Sequence, residues 1–245
     1  MKLSRMNQFV VVLCAGCSLL FTPALSATEP DYSALNRVLG KHVKAGSRSG
    51  ISAHLVNYKQ LAKDADFSAA VKSFSEFDTT QLKTRSEKLA FYINAYNIAA
   101  IRKVLEKYPT TSIRDTGDAV WKQNAINLAG KAYSLDQIEH QVLRPMGDAR
   151  MHFAIVCASL SCPDLRREAY SAAKLNAQLD DQTRRFLSNT AKGLRVEGNR
   201  VFQSAIFSWF KDDFKDVAKF QGRYVKNLPH HAERIELPYD WKLNE

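Results

Sequence analysis

The stretch from Glu87 to Leu105 constrains the fold most. It consists largely of good helix formers, and from Leu89 to Ile101 apolar residues fall on nearly every side of the cylinder they would form. A helix of that kind is buried, so other elements must surround it. Three polar residues interrupt the pattern: Glu87, Asn94 and Asn97, which share one side because seven residues make about two turns. A buried amide without a partner costs about 1–3 kcal/mol, so these side chains either tie a neighbouring loop's backbone to the core or line a cleft.

The chemistry is concentrated in a second stretch, Arg150 to Leu165, where His152, Cys157 and Cys162 cluster. Residues 151 to 157 form a continuous apolar run that reads as a strand buried on both faces. Ala158 and Ser159 allow a turn, and Pro163 suits the first position of a helix, with Cys162 at or near its N-cap. Two candidate nucleophiles result: Cys157 at the strand's end, and Cys162, where a helix dipole would favour the thiolate. The competing readings are a disulfide between them, or a Cys157 that is an ordinary core thiol.

The compartment bears on that choice. Lys2 and Arg5 precede the apolar run Phe9 to Phe21, and Ala24, Ser26 and Ala27 offer a cleavage site, so residues 1–27 read as a secretory signal and 28–245 as one periplasmic domain. Ala15-Gly16-Cys17 offers a lipoprotein site as the lesser alternative. Cleavage leaves Cys157 and Cys162 as the only cysteines in an oxidising compartment. A turn of this length can bring their α-carbons within the roughly 4.4–6.8 Å that a bridge needs. The expectation is a pair close enough to bridge, with at least part of the population keeping Cys157 as a free thiol.

The net charge of +10 loses two positive residues with the leader, and the rest are interleaved with acids. Nucleic acid is not implied; peripheral contact with anionic envelope surfaces is. The histidines show no ligand spacing and no glycine-rich phosphate loop occurs, so neither metal nor cofactor is expected.

Along the rest of the chain, 31–45 reads as an amphipathic helix, 51–58 as a strand, and 59–75 and the region from Thr80 as helices. Gly130-Lys131 and Gly198-Asn199 mark hairpins. Ser134 and Gln137 form a capping box for a short helix carrying His140, which Pro145 and Gly147 stop. Residues 165–188 read as one or two helices. Ser204 caps a helix whose aromatic stripe, Phe207 to Phe214, reads as core, and Ile235 to Trp241 reads as an edge strand. The class is α+β: a helix-dominated single domain around a small, mainly antiparallel sheet.

Five segments carry a resemblance: Phe91-Tyr-Ile-Asn-Ala-Tyr-Asn97, Ser134-Leu-Asp-Gln-Ile-Glu-His140, His152 to Pro163, Ile206 to Phe214, and Tyr239-Asp-Trp-Lys-Leu-Asn244. In order and spacing they resemble the secreted bacterial form of the domain of unknown function 547 family. Tyr92 stands where that family often has tryptophan, and Asn57 where an aspartate often precedes Tyr58, which weakens a carboxylate role there. The resemblance implies a fold like that of papain-like or transglutaminase-like thiol enzymes with rearranged elements. It offers Cys157 as nucleophile and His140 or His152 as base. Cys162 is less secure, since related plant sequences carry serine.

If 151–157 is a strand, His152 and Cys157 point to opposite faces roughly 16 Å apart, which leaves His140 as the base, Glu87 or Asn94 to orient it, and His152 to hydrogen-bond within the core. The expected function is a periplasmic thiol hydrolase or acyltransferase acting on amide or ester bonds. The catalytic set is Cys157, His140 and Glu87, supported by Asn94, Asn97, His152 and Cys162. The alternatives are a non-catalytic envelope binding or assembly domain and a redox-controlled dithiol protein. The partner is an envelope protein, peptide or acyl substrate.

Overall fold

The long apolar segment is a helix, Arg85–Leu105, in a computed structural model that describes residues 29–229 and 231–245. The expected leader, with Cys17, lies outside the described residues. The elements that precede this helix are α1 (Ser33–His42), β1 (Val43–Arg48), β2 (Ile51–Val56), α2 (Tyr58–Leu61) and α3 (Ala65–Glu76), so it is α4. Thr84 and Glu87 start it with a reciprocal capping box, and its middle, from Leu89 to Ile101, is buried except for Tyr92. The remaining elements are β3 (Asn124–Leu128), β4 (Lys131–Ser134), α5 (Leu175–Ser188), β5 (Leu194–Glu197), β6 (Arg200–Gln203), α6 (Ile206–Trp209), α7 (Lys211–Phe214), α8 (Val217–Gly222) and β7 (Glu233–Glu236).

The class is α+β, as expected, but the strands make three small sheets rather than one. The β1–β2 and β3–β4 pairs are antiparallel hairpins that turn through Ser49-Gly50 and Ala129-Gly130, all four residues having positive φ. The third sheet adds β7 parallel to β6 of the β5–β6 hairpin. No helix among the described residues is long and apolar enough to cross a membrane.

Two expectations about the central stretch are overturned. Residues 149–153 form a 3₁₀ helix, started by Asp148 accepting from the Arg150 N–H, and 154–157 are irregular, so the buried strand does not exist. Its apolar run reflects burial from all sides: Met151 to Val156 are at most 6% exposed. Nor does a helix begin at Pro163, since residues 163–174 carry none and α5 starts only at Leu175. Cys162 therefore has no helix dipole to feel.

Two cores meet at this stretch. The larger surrounds α4 and takes Met151 and Ala154 to Val156, while the smaller, rich in aromatics, takes Phe153 together with Phe186, Phe207, Phe214 and Phe220. Phe153 lies 5.1 Å from the Phe186 ring and 5.7 Å from that of Phe207, ordinary centroid spacings for tilted aromatic pairs. Residues 149–157 thus form the seam between the cores.

The end of the chain closes the seam. Instead of a strand running through Trp241, β7 stops at Glu236 and a separate tail pairs with the turn after Cys157. The Leu160 N–H donates to the Lys242 carbonyl at 2.8 Å, Asn244 N–H to Ala158 at 3.0 Å, and Ser159 bridges Leu243. On its other side the tail accepts from Val56 N–H and from the Tyr58 hydroxyl, both at Asn244.

Candidate functional site

Cys157 is fixed from three directions. Asn97, in the middle of α4, donates from Nδ2 to the Ala154 carbonyl at 3.0 Å and accepts the Val156 N–H on Oδ1 at 2.9 Å, which replaces a strand neighbour for the residues just before the cysteine. Ala158 takes a left-handed conformation, φ 62°, so the chain doubles back and Ser159 returns toward the sulfur. The tail then brings Tyr239 to the same atom. Cys157 Sγ is 3.2 Å from Ser159 Oγ, 3.3 Å from Tyr239 Oη and 2.8 Å from Cys162 Sγ; both cysteines are free thiols.

These contacts decide the protonation of the pair. Cys162 donates to an ionised Cys157, and the Ser159 and Tyr239 hydroxyls and the Ser159 N–H add to it, which outweighs burial and draws the Cys157 thiol down from 9.0 to about 6. Ser159 Oγ also lies 3.1 Å from Tyr239 Oη: when its one proton turns from the sulfur to Tyr239, the Tyr239 proton and the Ser159 N–H stay on the sulfur. Cys162, wholly buried and beside a thiolate, is pushed the other way, well above 9.0. At neutral pH the pair is one thiolate and one thiol, with the thiolate on the more exposed residue.

The thiolate opens on a cavity of about 360 Å³ at the seam. Six aromatic side chains stand in its walls: Tyr96, Trp121, Trp209, Phe210, Tyr239 and Trp241. Trp209 stacks on Trp241, 5.9 Å between rings, and is 48% exposed, so it forms the rim. The aromatic stripe expected as core is thus divided, Phe207 and Phe214 facing the interior while Trp209 and Phe210 face the cavity.

The titratable groups of the cavity come from the helix begun by the Ser134 and Gln137 box and from the seam. The box forms as expected, Gln137 N–H on Ser134 Oγ and Ser134 N–H on Gln137 Oε1, and the helix, Gln137–Leu143, is of the π type. It projects both Glu139 and His140 into the cavity wall. The Tyr96 hydroxyl donates to Glu139 Oε2 at 3.3 Å, and burial pushes this carboxyl up from 4.5 to about 7, with the negative charge of Cys157 adding to the rise.

Arg144 organises the histidines. Its Nη1 lies 2.9 Å from His140 Nδ1, and since arginine only donates, that ring nitrogen must be the acceptor and Nε2 must carry the proton. His140 Nε2 stands 3.7 Å from Asp136. Arg144 Nε and Nη2 clasp both oxygens of Asp213, which also accepts from His152 Nε2 at 2.7 Å. Burial works to raise Asp213, but these hydrogen bonds outweigh it and hold the carboxyl below its usual range. His152, stacked on Phe210 at 4.1 Å, is kept neutral by burial, which lowers it from 6.5 to about 4.

The structure therefore brings Cys157, Cys162, His140 and His152 to one cavity but leaves the remaining sequence candidates elsewhere. Because 151–157 is not a strand, the opposite-face argument against His152 does not hold: both residues line the cavity. Glu87 does not line it. Glu87 accepts the Lys83 and Thr84 N–H groups on Oε2, both at 2.7 Å, as the cap of α4. Asn94 holds the Tyr170 backbone, donating to its carbonyl at 2.8 Å and accepting its N–H at 2.9 Å. Both asparagines thus tie loops to the core. Glu139, Arg144, Asp213, Trp209 and Tyr239 escaped the sequence reading, although Glu139, Asp213, Trp209 and Tyr239 lie within the motifs quoted for the family. No group of three or more His, Cys, Asp or Glu among the described residues is arranged to hold a metal ion.

Fold and site define a mixed α+β domain with a paired thiol at the seam of two cores, open to an aromatic cavity. Residues 79–187 match the family described as "Protein of unknown function, DUF547", which supports that family for this chain. The matched span holds α4, the π-helix, both cysteines and most of α5; Trp209, Phe210, Asp213, Tyr239 and Trp241 lie beyond it. No curated protein and no solved structure matches the chain.

Proposed function

We propose that this protein is a thiol hydrolase or acyltransferase that acts on amide or ester bonds, with Cys157 as nucleophile, and that it works in the periplasm after loss of residues 1–27. The observation that carries the reading is the convergence of donors on Cys157 Sγ, from Cys162, Ser159 and Tyr239, at the wall of a cavity large enough for an acyl group. A thiolate formed in this way needs no general base. His140, the base expected from the sequence, enters the proposal instead as an Nε2–H donor toward a substrate carbonyl. The Asp213–His152 pair supports the resemblance to papain-like thiol enzymes, in which a third group orients a histidine.

Iodoacetamide labelling followed over pH tests this reading. Cys157 should alkylate with a midpoint near 6, and Cys157→Ser should abolish the reaction. A midpoint at the ordinary thiol value would sink the proposal.

A second reading is favoured by the same 2.8 Å contact: a dithiol in which Cys157 attacks and Cys162 resolves. Intact mass without reductant, before and after alkylation, separates the two. Complete resistance to alkylation would point to the redox pair, and a single modified thiol at Cys157 to the nucleophile.

A further inference from the structure

We propose that Glu139 is the catalytic acid and base of the Cys157 site, donating a proton to the leaving group and then taking one from the attacking water. This rests on the acyl-transfer reading above and names the residue that its proton transfers require.

Lone-pair bookkeeping points away from His140. Its Nδ1 is filled by Arg144, and its Nε2 already carries a proton, so it has no free site at which to accept one. His152 has Nε2 committed to Asp213 and is stacked under Phe210 with only 1% of its side chain exposed. Glu139 differs from both. Its carboxyl lines the cavity with Cys157, and its single hydrogen bond among the described residues is the one from Tyr96, which leaves Oε1 uncommitted.

The charged groups around it set its state. Tyr96 approaches from α4, Cys157 from the seam, and Asp136, His140 and Arg144 from its own helix and the turn after it; Lys122, His152, Cys162 and Tyr239 line the same cavity. Burial dominates and holds the carboxyl near 7, while Cys157 sits near 6. At neutral pH the cavity therefore contains a thiolate and, for about half of the molecules, a carboxylic acid. Nucleophile and proton donor are then in the required forms together.

In acylation the Cys157 sulfur bonds to the substrate carbonyl carbon, the bond to the leaving group breaks, and that group departs with the Glu139 proton. In deacylation the Glu139 carboxylate takes a proton from water, whose hydroxide bonds to the thioester carbon. The carbon–sulfur bond then breaks and returns the Cys157 thiolate. One water is consumed and both side chains are restored.

The test acetylates the whole mature protein with p-nitrophenyl acetate and follows the acetyl adduct on Cys157 by intact mass over pH. The activated ester needs little acid assistance, so Glu139→Gln should still acquire the adduct. Its loss should be about a hundredfold slower than in wild type and should lack the rise with a midpoint near pH 7 that wild type shows. Circular dichroism melts of wild type and Glu139→Gln show that the variant is folded. An adduct lost from Glu139→Gln at the wild-type rate and with the same pH midpoint would overturn this proposal and leave the thiol reading standing. Failure of wild type to form any adduct that Cys157→Ala lacks would overturn both.

Discussion

At the residue scale, the thiolate depends on a few protons whose removal has a calculable effect. Tyr239 supplies one hydrogen bond to a charged sulfur, and such bonds contribute about 1.5–3 kcal/mol, or about one to two pH units. Tyr239→Phe should therefore raise the alkylation midpoint of Cys157 by at least about one unit while leaving the ring packing against Trp209 and Trp241 in place. An unchanged midpoint would mean that the hydroxyl donates elsewhere. His152 makes a separate prediction about stability. It is held near 4 in the folded chain against 6.5 when exposed, so between those values the unfolded chain binds the extra proton and folding weakens as pH falls. The full window corresponds to about 3 kcal/mol. Urea denaturation at pH 7 and pH 4 should show wild type losing that much more stability than His152→Gln, and equal losses would show that the ring is already charged or solvated.

At the scale of elements, the seam is held by amides that reach it from other parts of the chain. Asn97 satisfies two backbone groups beside Cys157, and its truncation to alanine would leave both buried and unpaired, at about 1–3 kcal/mol each. Asn97→Ala should thus cost about 2–6 kcal/mol in urea denaturation and slow Cys157 alkylation, because the loop that aims the sulfur is released; destabilisation without a change in labelling would separate Asn97 from the site. The same amides explain which elements were legible in the sequence. The long helix, the β3–β4 and β5–β6 hairpins and the Ser134 box are specified by neighbours in the chain, and periodicity and turn residues reveal them, whereas β1 begins at Val43 inside the stretch whose spacing reads as helix to residue 45. The segment from 162 to 171 is not so specified. Its backbone is paired by Asn94 at Tyr170, by Asn36 and Gln178 at Ala169, by Gln182 at Asp164, and by Lys192 at Cys162. Those partners lie 9 to 133 residues away, and no local pattern announces that a buried loop will stand where Pro163 suggested a helix.

At the scale of the molecule, the site is assembled from segments as distant as Tyr96 and Trp241, and for that reason Cys157 and both histidines were legible as candidates while Arg144, Asp213 and Tyr239 were not. Nothing in the sequence says that the last residues return to the turn after Cys157. Yet that return joins three otherwise separate parts. The tail pairs with residues 158–161, it accepts from Val56, Tyr58 and Arg48 of the first hairpin region, and it receives the Ser112 hydroxyl at the Trp241 carbonyl. Removing residues 239–245 takes away Tyr239 and one wall of the cavity, exposes the edge of the Ala158–Ser161 turn, and leaves both cores nearly intact, because among their buried members only Leu243 lies in the tail. The truncated protein should accordingly still fold, with a lower melting temperature, while Cys157 alkylation moves from a midpoint near 6 toward the ordinary thiol value by more than Tyr239→Phe alone produces. Circular dichroism melts and iodoacetamide labelling over pH check both halves. A truncated chain that keeps the midpoint near 6 would show that Cys162 and Ser159 suffice and that the tail is not part of the site.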